Sequence, residues 1–418
     1  MQKNFRDLKE FFSSEASRSA NWLVSGGVLR AGIAFLANLA LVRLLSPEDF
    51  GRFAIIQADI SLVAAIVNFQ TGPLIVQAPE EHLEPYQLSR YTGALIVETL
   101  LITGGGIITL WVLDLITLGA VVLLGSSLMS IWIDTEVKLY ERNFEYKNIT
   151  YVETTAHVLS RSFAVLGAFF GMGPLVLYLR KAIKQTIVFE GLRQLGGLTS
   201  LPFRWLSLKD WEIHIRRLSG FWADGLLERM FDRVTVMILG RVAGEETTGY
   251  FYQARRLAII PNQILRPFSY RMAFNYFSNR ISEDERYSTL WRGLAIEGGV
   301  LAILAAACWL LADPIVPWLF GEEWSSVVPM LIAMIGVIIG MPIFGTVQVY
   351  LKAIDKVTTF IVWGRGVQYT MIIIAASLAA IDLLNAGVLL SAGLSAGFIG
   401  GAIASWGVIH YHYSKVQK

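Results

Sequence analysis

The chain has 418 residues, 54% hydrophobic and only 16% charged, with a mean hydropathy of +0.53 and a formal net charge of +2. A soluble globular domain does not carry so much apolar surface, and the near-neutral balance gives no basic field for nucleic acid. The single cysteine, Cys308, excludes a disulfide framework and a thiol metal site.

Residues 1–20 place Phe5, Leu8 and Phe12 at helical spacing with Lys3, Arg6 and Lys9 on other faces, which predicts an interfacial helix or a polar tail. About twelve apolar stretches of membrane-spanning length follow. They run near 23–45, 53–74, 91–113, 116–133, 151–170, 173–190, 220–240, 249–268, 290–311, 327–351, 360–381 and 383–410. The sixth is interrupted by Arg180, Lys181 and Lys184, and is retained because losing it would translocate Arg204, Lys209, Arg216 and Arg217. With the amino terminus inside, about twenty Lys and Arg fall on the cytoplasmic side and essentially Arg52 and Arg241 on the other, so both termini are predicted to be cytoplasmic. The longest external loop is expected at Ala312–Ser326.

The first hairpin repeats itself. Arg43, Glu48, Gly51 and Phe53 recur as Arg241, Glu246, Gly249 and Phe251 at one constant offset. Equal, even numbers of spans on each side make the copies parallel repeats. The predicted organisation is a cytoplasmic segment at 1–20, a six-helix lobe at 21–200 and a second at 201–418, in an all-α polytopic membrane protein.

Charge inside the spans carries the functional argument, because an ionised group at the bilayer centre costs at least about 3 kcal/mol and so implies a polar interior. Arg30, Arg161, Arg180, Lys181 and Arg229 fall near the predicted midplane, with Lys184, Arg233, Arg255 and Arg256 somewhat off it. Guanidinium groups bind phosphate bidentately, so these residues suit a substrate that takes a lipid diphosphate past the midplane. The alternative is structural pairing with Asp59, Glu98, Glu153, Asp224, Glu228, Asp232 or Glu297. Arg43, Arg266 and Arg365, close to span ends, are expected to snorkel to the headgroups. Asp224, Glu228 and Asp232 at i, i+4 and i+8 form a carboxylate stripe beside Arg229 and Arg233, suited either to binding a coupling proton or sodium ion or to holding those arginines.

Other motifs read as packing or as silence. Gly104, Gly105 and Gly106 sit inside a span rather than after a strand, so they are read as helix contacts and not as a nucleotide fingerprint. Gly393, Gly397 and Gly401 form a small-residue ridge of the same kind. His410 and His412 lack a third ligand, and no cofactor or metal is expected.

Four segments also resemble a known family. Leu44-Leu45-Ser46-Pro47-Glu48-Asp49-Phe50-Gly51 is similar to the first-loop signature of bacterial polysaccharide flippases of the multidrug/oligosaccharidyl-lipid/polysaccharide (MOP) exporter superfamily. Phe231-Asp232-Arg233, Gly249-Tyr250-Phe251-Tyr252-Gln253-Ala254 and Phe320-Gly321-Glu322-Glu323-Trp324 look similar as well. The resemblance implies a V-shaped, two-lobed MATE-like fold in the bacterial inner membrane. It implies transport of undecaprenyl-diphosphate-linked oligosaccharide for O-antigen, capsule or exopolysaccharide, with polymerase and chain-length machinery as partners. Two rivals stand beside it: a cation-coupled exporter of small amphipathic compounds, which should favour acidic pockets, and a membrane polysaccharide polymerase or ligase. The latter needs a large external loop and a convergent acid/base pair, which the sequence lacks, so no enzymatic activity is expected.

Overall fold

A computed structural model describes residues 15–68, 85–142, 146–196, 204–205, 208–267, 283–354 and 356–416. The proposed amino-terminal helix at Phe5, Leu8 and Phe12 lies outside them. All regular structure among the described residues is helical. In chain order the helices are α1 (Glu15–Val42), α2 (Pro47–Val67), α3 (Pro85–Val112), α4 (Leu118–Arg142), α5 (Tyr146–Phe169), α6 (Leu175–Leu195) and α7 (Leu208–Val242). Then come α8 (Gly244–Ala258), α9 (Ile260–Pro267), α10 (Glu283–Phe320), α11 (Val327–Ala333), α12 (Ile335–Ala353), α13 (Val357–Ile381) and α14 (Ala386–Val416). Eight of these, α1 to α4, α10 and α12 to α14, are long and apolar enough to cross a membrane by length and composition alone. Helices α5, α6 and α7 are long enough but carry more charge, and α8 and α9 divide the predicted eighth span at Ile259.

Two compact units emerge, residues 1–45 with 56–233, and residues 46–55 with 234–418. In unit 1 the core joins Ile133 and Tyr140 of α4, Ile149 and Ala156 of α5, and Val188 and Leu192 of α6. Small residues set the spacing: a Cβ on Gly191 would lie 2.7 Å from Val152, and the Tyr140 hydroxyl donates to the Gly196 carbonyl at 2.7 Å. Gly105 and Gly106 face Val63 and Leu124, so this part of the glycine run is packing surface.

Unit 2 holds Ser46–Gly51, Gly249–Ala254 and Phe320–Trp324 of the family-like segments. Ser46 caps α2: its Oγ accepts from the Asp49 N–H at 3.3 Å while the Asp49 carboxylate accepts from the Ser46 N–H at 3.1 Å. Pro47 occupies the first helical position, where a missing N–H costs nothing, and Glu48 and Asp49 complement the helix dipole. This start aims Phe50 and Phe53 into the unit. Trp324, fully buried, meets Phe50, Tyr250 and Phe320 at ring-centroid distances of 5.6, 5.9 and 6.2 Å, and Tyr252 meets Phe53 at 6.3 Å.

The two repeat-related hairpins touch reciprocally. A Cβ on Gly51 would overlap the Glu245 carbonyl, and one on Gly249 would overlap the Pro47 carbonyl, the repeat mate of Glu245. Arg52 donates to Glu245 at 3.1 Å across the same contact, and Gly240 fits against Ile55. Elsewhere in unit 2, Gly393 of α14 admits Ala375 of α13, and Gly401 lies 2.7 Å, by its added Cβ, from the Gly364 carbonyl.

Two expectations are corrected. Arg365 does not snorkel: it is 4% exposed, donates to Gln368 Oε1 at 3.0 Å and lies over the rings of Phe344 and Phe360 at 5.2 and 5.5 Å. It sits on a π-helical turn, Phe360–Arg365, inside α13. The expected external loop at Ala312–Ser326 is largely helix, because α10 continues through Pro314 and Pro317 to Phe320 before Gly321 turns the chain at φ 109°. Arg43 is exposed, and the Arg266 side chain lies outside the described residues.

Candidate substrate site

Charge in unit 1 gathers on α1, α4, α5, α6 and α7, where it would be costly to bury singly. Arg30, near the middle of α1, forms an ion pair with Glu153 of α5 at 3.1 Å; the two side chains are 17% and 32% exposed. One turn on, Arg161 Nε donates to His157 Nδ1 at 3.4 Å. Glu153, His157 and Arg161 therefore share one stripe of α5 at i, i+4 and i+8. Facing them on α6, Lys181 donates to Ser127 Oγ of α4 at 3.4 Å. Arg30, Arg161, Arg180 and Lys184 all act electrostatically on His157, and Lys184 in turn feels Glu153 and Asp134. Asp134 of α4 also draws Arg229 of α7, and Lys181 feels Arg233.

The result, among the described residues, is one region rich in cations. Arg30, Arg161, Arg180, Lys181, Lys184, Arg229 and Arg233 are linked through shared electrostatic neighbours, His157, Asp134 and Lys181 among them. Asp134 and Glu153 are carboxylates of the same region, both acting on Lys184. Sequence reasoning missed Asp134 and His157. Their signal was helical spacing, since Asp134 lies four residues before Lys138 and His157 four before Arg161. Arg255 and Arg256 lie in the last turn of α8, in unit 2, and do not belong to this group. Glu228 lies on α7 in unit 1, while the side chains of Asp224 and Asp232 lie outside the described residues. Among the described residues no cluster of three or more His, Cys, Asp and Glu suits a metal ion.

Such an arrangement can hold an anion with several phosphate oxygens inside an apolar body. The fold is that of solved polytopic α-helical transporters of the MOP superfamily. An inward-facing multidrug-resistance MATE family transporter of that superfamily superposes with a TM-score of 0.67 at 14% identity, over 94% of this chain and 99% of its own. With α5, α6, α7 and the α8–α9 pair counted beside the eight apolar helices, the chain is consistent with the twelve-helix layout.

Residues 40–329 match the family described as polysaccharide biosynthesis protein, and the chain belongs to that family. It is 21% identical over 327 residues to the lipopolysaccharide biosynthesis protein WzxC of Escherichia coli, covering 75% of this chain. It is 23% identical over 331 residues to the succinoglycan biosynthesis transport protein ExoT of Rhizobium meliloti, again 75% of this chain. The chain spans 64% of the length of each of these relatives.

Proposed function

We propose that the protein is a flippase, moving a polyprenyl-diphosphate-linked oligosaccharide for O-antigen, capsule or exopolysaccharide across the bacterial inner membrane, with undecaprenyl as the carrier. The cationic group of unit 1 carries the reading, because in low dielectric a diphosphate is compensated by cations, whereas an amphipathic cation is repelled by them and needs carboxylates. Arg30, Arg161, Arg180, Lys181, Lys184, Arg229 and Arg233 hold the diphosphate, and Arg255 and Arg256 contribute from unit 2. Asp224, Glu228 or Asp232 binds a proton or sodium ion that drives the cycle. Both termini are cytoplasmic, the working lobes are 21–200 and 201–418, and polymerase and chain-length proteins receive the product. The protein itself catalyses no covalent step.

Transport into vesicles by the reconstituted protein tests this. Arg161→Ala and Arg180→Ala should abolish movement of a fluorescent polyprenyl-diphosphate sugar while protein level holds, and Lys at either position should restore part of it. Full transport by both Ala variants overturns the assignment. Movement of small organic cations in preference to the diphosphate lipid would favour the drug-exporter reading instead.

A further inference from the structure

One stripe of α5 holds two arginines of the charged group in two different ways. Glu153 pairs with Arg30 of α1 at 3.1 Å, so each cancels charge on the other. Arg161, two turns after Glu153, donates instead from Nε to Nδ1 of His157 at 3.4 Å. His157 and Arg161 are both half-buried, so each keeps accessible surface.

Chemistry fixes the direction of the second contact, because a guanidinium has donors only. Nδ1 of His157 is therefore the acceptor, the ring is neutral, and its one ring proton lies on Nε2. An imidazolium would have no lone pair for Arg161 and would add a further cation facing Lys184, Arg161, Arg30 and Arg180. The bond also commits Nε of Arg161, so a bidentate contact with phosphate has to use Nη1 and Nη2.

Arg161 and Lys184 act on each other electrostatically, and a long guanidinium among like charges is driven away from them unless something holds it. A carboxylate would hold it and cancel its charge, as Glu153 does for Arg30. A neutral imidazole holds it and leaves the charge in place. We propose, on the reading of Arg161 as a diphosphate ligand, that His157 is a positioning residue, tethering Arg161 through Nε and presenting its Nη1–Nη2 fork to phosphate without cancelling its charge. A fork already held loses less conformational entropy when the phosphate arrives, so the tether acts on affinity.

Purified full-length protein in detergent, titrated with the fluorescent polyprenyl-diphosphate sugar and followed in parallel by heat unfolding, tests the tether. His157→Leu should weaken binding about tenfold while the melting temperature holds. His157→Asn, whose Oδ1 accepts at the place of Nδ1, should restore most of the affinity, and His157→Gln, whose amide reaches the place of Nε2, should not. A residue that acts only through Arg161 has nothing to act on once that side chain is gone, so His157→Leu should add no further loss to Arg161→Ala. Full additivity of the two overturns the proposal. So does parental affinity in His157→Leu beside weak binding in Arg161→Ala, a result that leaves the diphosphate reading of Arg161 standing. Parental affinity in Arg161→Ala removes that reading itself, and the tether with it. Where His157→Leu does not accumulate, equal affinity of the Asn and Gln variants overturns the proposal.

Discussion

Replacing Gly51 by Ala sets two opposed effects against each other at one atom. In an exposed helix the change should stabilise by about 0.5–1 kcal/mol, because Ala loses less backbone entropy than Gly. At this position the added Cβ would overlap the Glu245 carbonyl and lie 3.0 Å from the Gly249 nitrogen. Both neighbours are backbone at or near the start of α8, so no side-chain rotation relieves the overlap, and the start of α2 must move away from α8. That movement loosens Phe50 and Phe53, which are 1% and 2% exposed. Overpacking costs about 1–3 kcal/mol where side chains can give; backbone neighbours put this site at the upper end, so the net sign is destabilising by about 2 kcal/mol. Gly249→Ala meets the Pro47 carbonyl in the mirror arrangement and should cost a similar amount. One displacement relieves both overlaps, so the double variant should cost clearly less than the sum of the singles. Cys308, the sole cysteine and half-buried on α10 of the same unit, reports unfolding through its reaction with a thiol-specific dye on heating. Gly104→Ala, with nothing within 4 Å of the new Cβ, is the control and should be neutral or slightly stabilised. Strict additivity, or a Gly51→Ala protein as stable as the control, would refute the reciprocal contact.

The Arg30–Glu153 pair separates support from substrate binding: Glu153→Gln should lower membrane protein level, by a discounted fraction of the roughly 3–5 kcal/mol that a fully buried broken pair costs. Exchanging the two, Arg30→Glu with Glu153→Arg, should restore the level but not polysaccharide export; export at the parental rate would make the pair purely structural. Arg365→Lys should lower thermal stability by about 1–2 kcal/mol, because an ammonium keeps the charge near Phe344 and Phe360 but not the planar stack. Wild-type stability in that variant would remove the stacking account.

Much of the fold follows from local rules. Ser46-Pro47-Glu48-Asp49 reads as a cap, a first-turn proline and dipole-matched acids, and it folds as one. The glycine runs in α3 and α14 read as close approach, and Gly106 and Gly393 make it. Position along a span was a weaker guide. Arg365 lies near a predicted end, but a buried arginine is set by what surrounds it, and the two rings and Gln368 come from the tertiary fold and a π-turn. Hydropathy likewise falls at Asp313, whereas α10 continues through Pro314 and Pro317, although an interior proline removes a backbone hydrogen bond.

The repeat shows why the remainder was hidden. An equal offset between Gly51 and Gly249 establishes that two hairpins share a local structure, and says nothing about which surfaces meet. In the structure the repeated glycines face each other's hairpins, so each copy carries the residue that lets the other approach. The same reasoning applies to the charged group. Depth counted inward from the span ends identified which arginines and lysines would be expensive in lipid, but Asp134 and His157 joined them only once α4, α5 and α6 had packed around Ile133, Ala156 and Val188. A cation-rich region held in place by an apolar core cannot relax by moving its charges to water. Under the proposed function it offers an anion a preformed site, and this is the property that a carrier of lipid diphosphates requires.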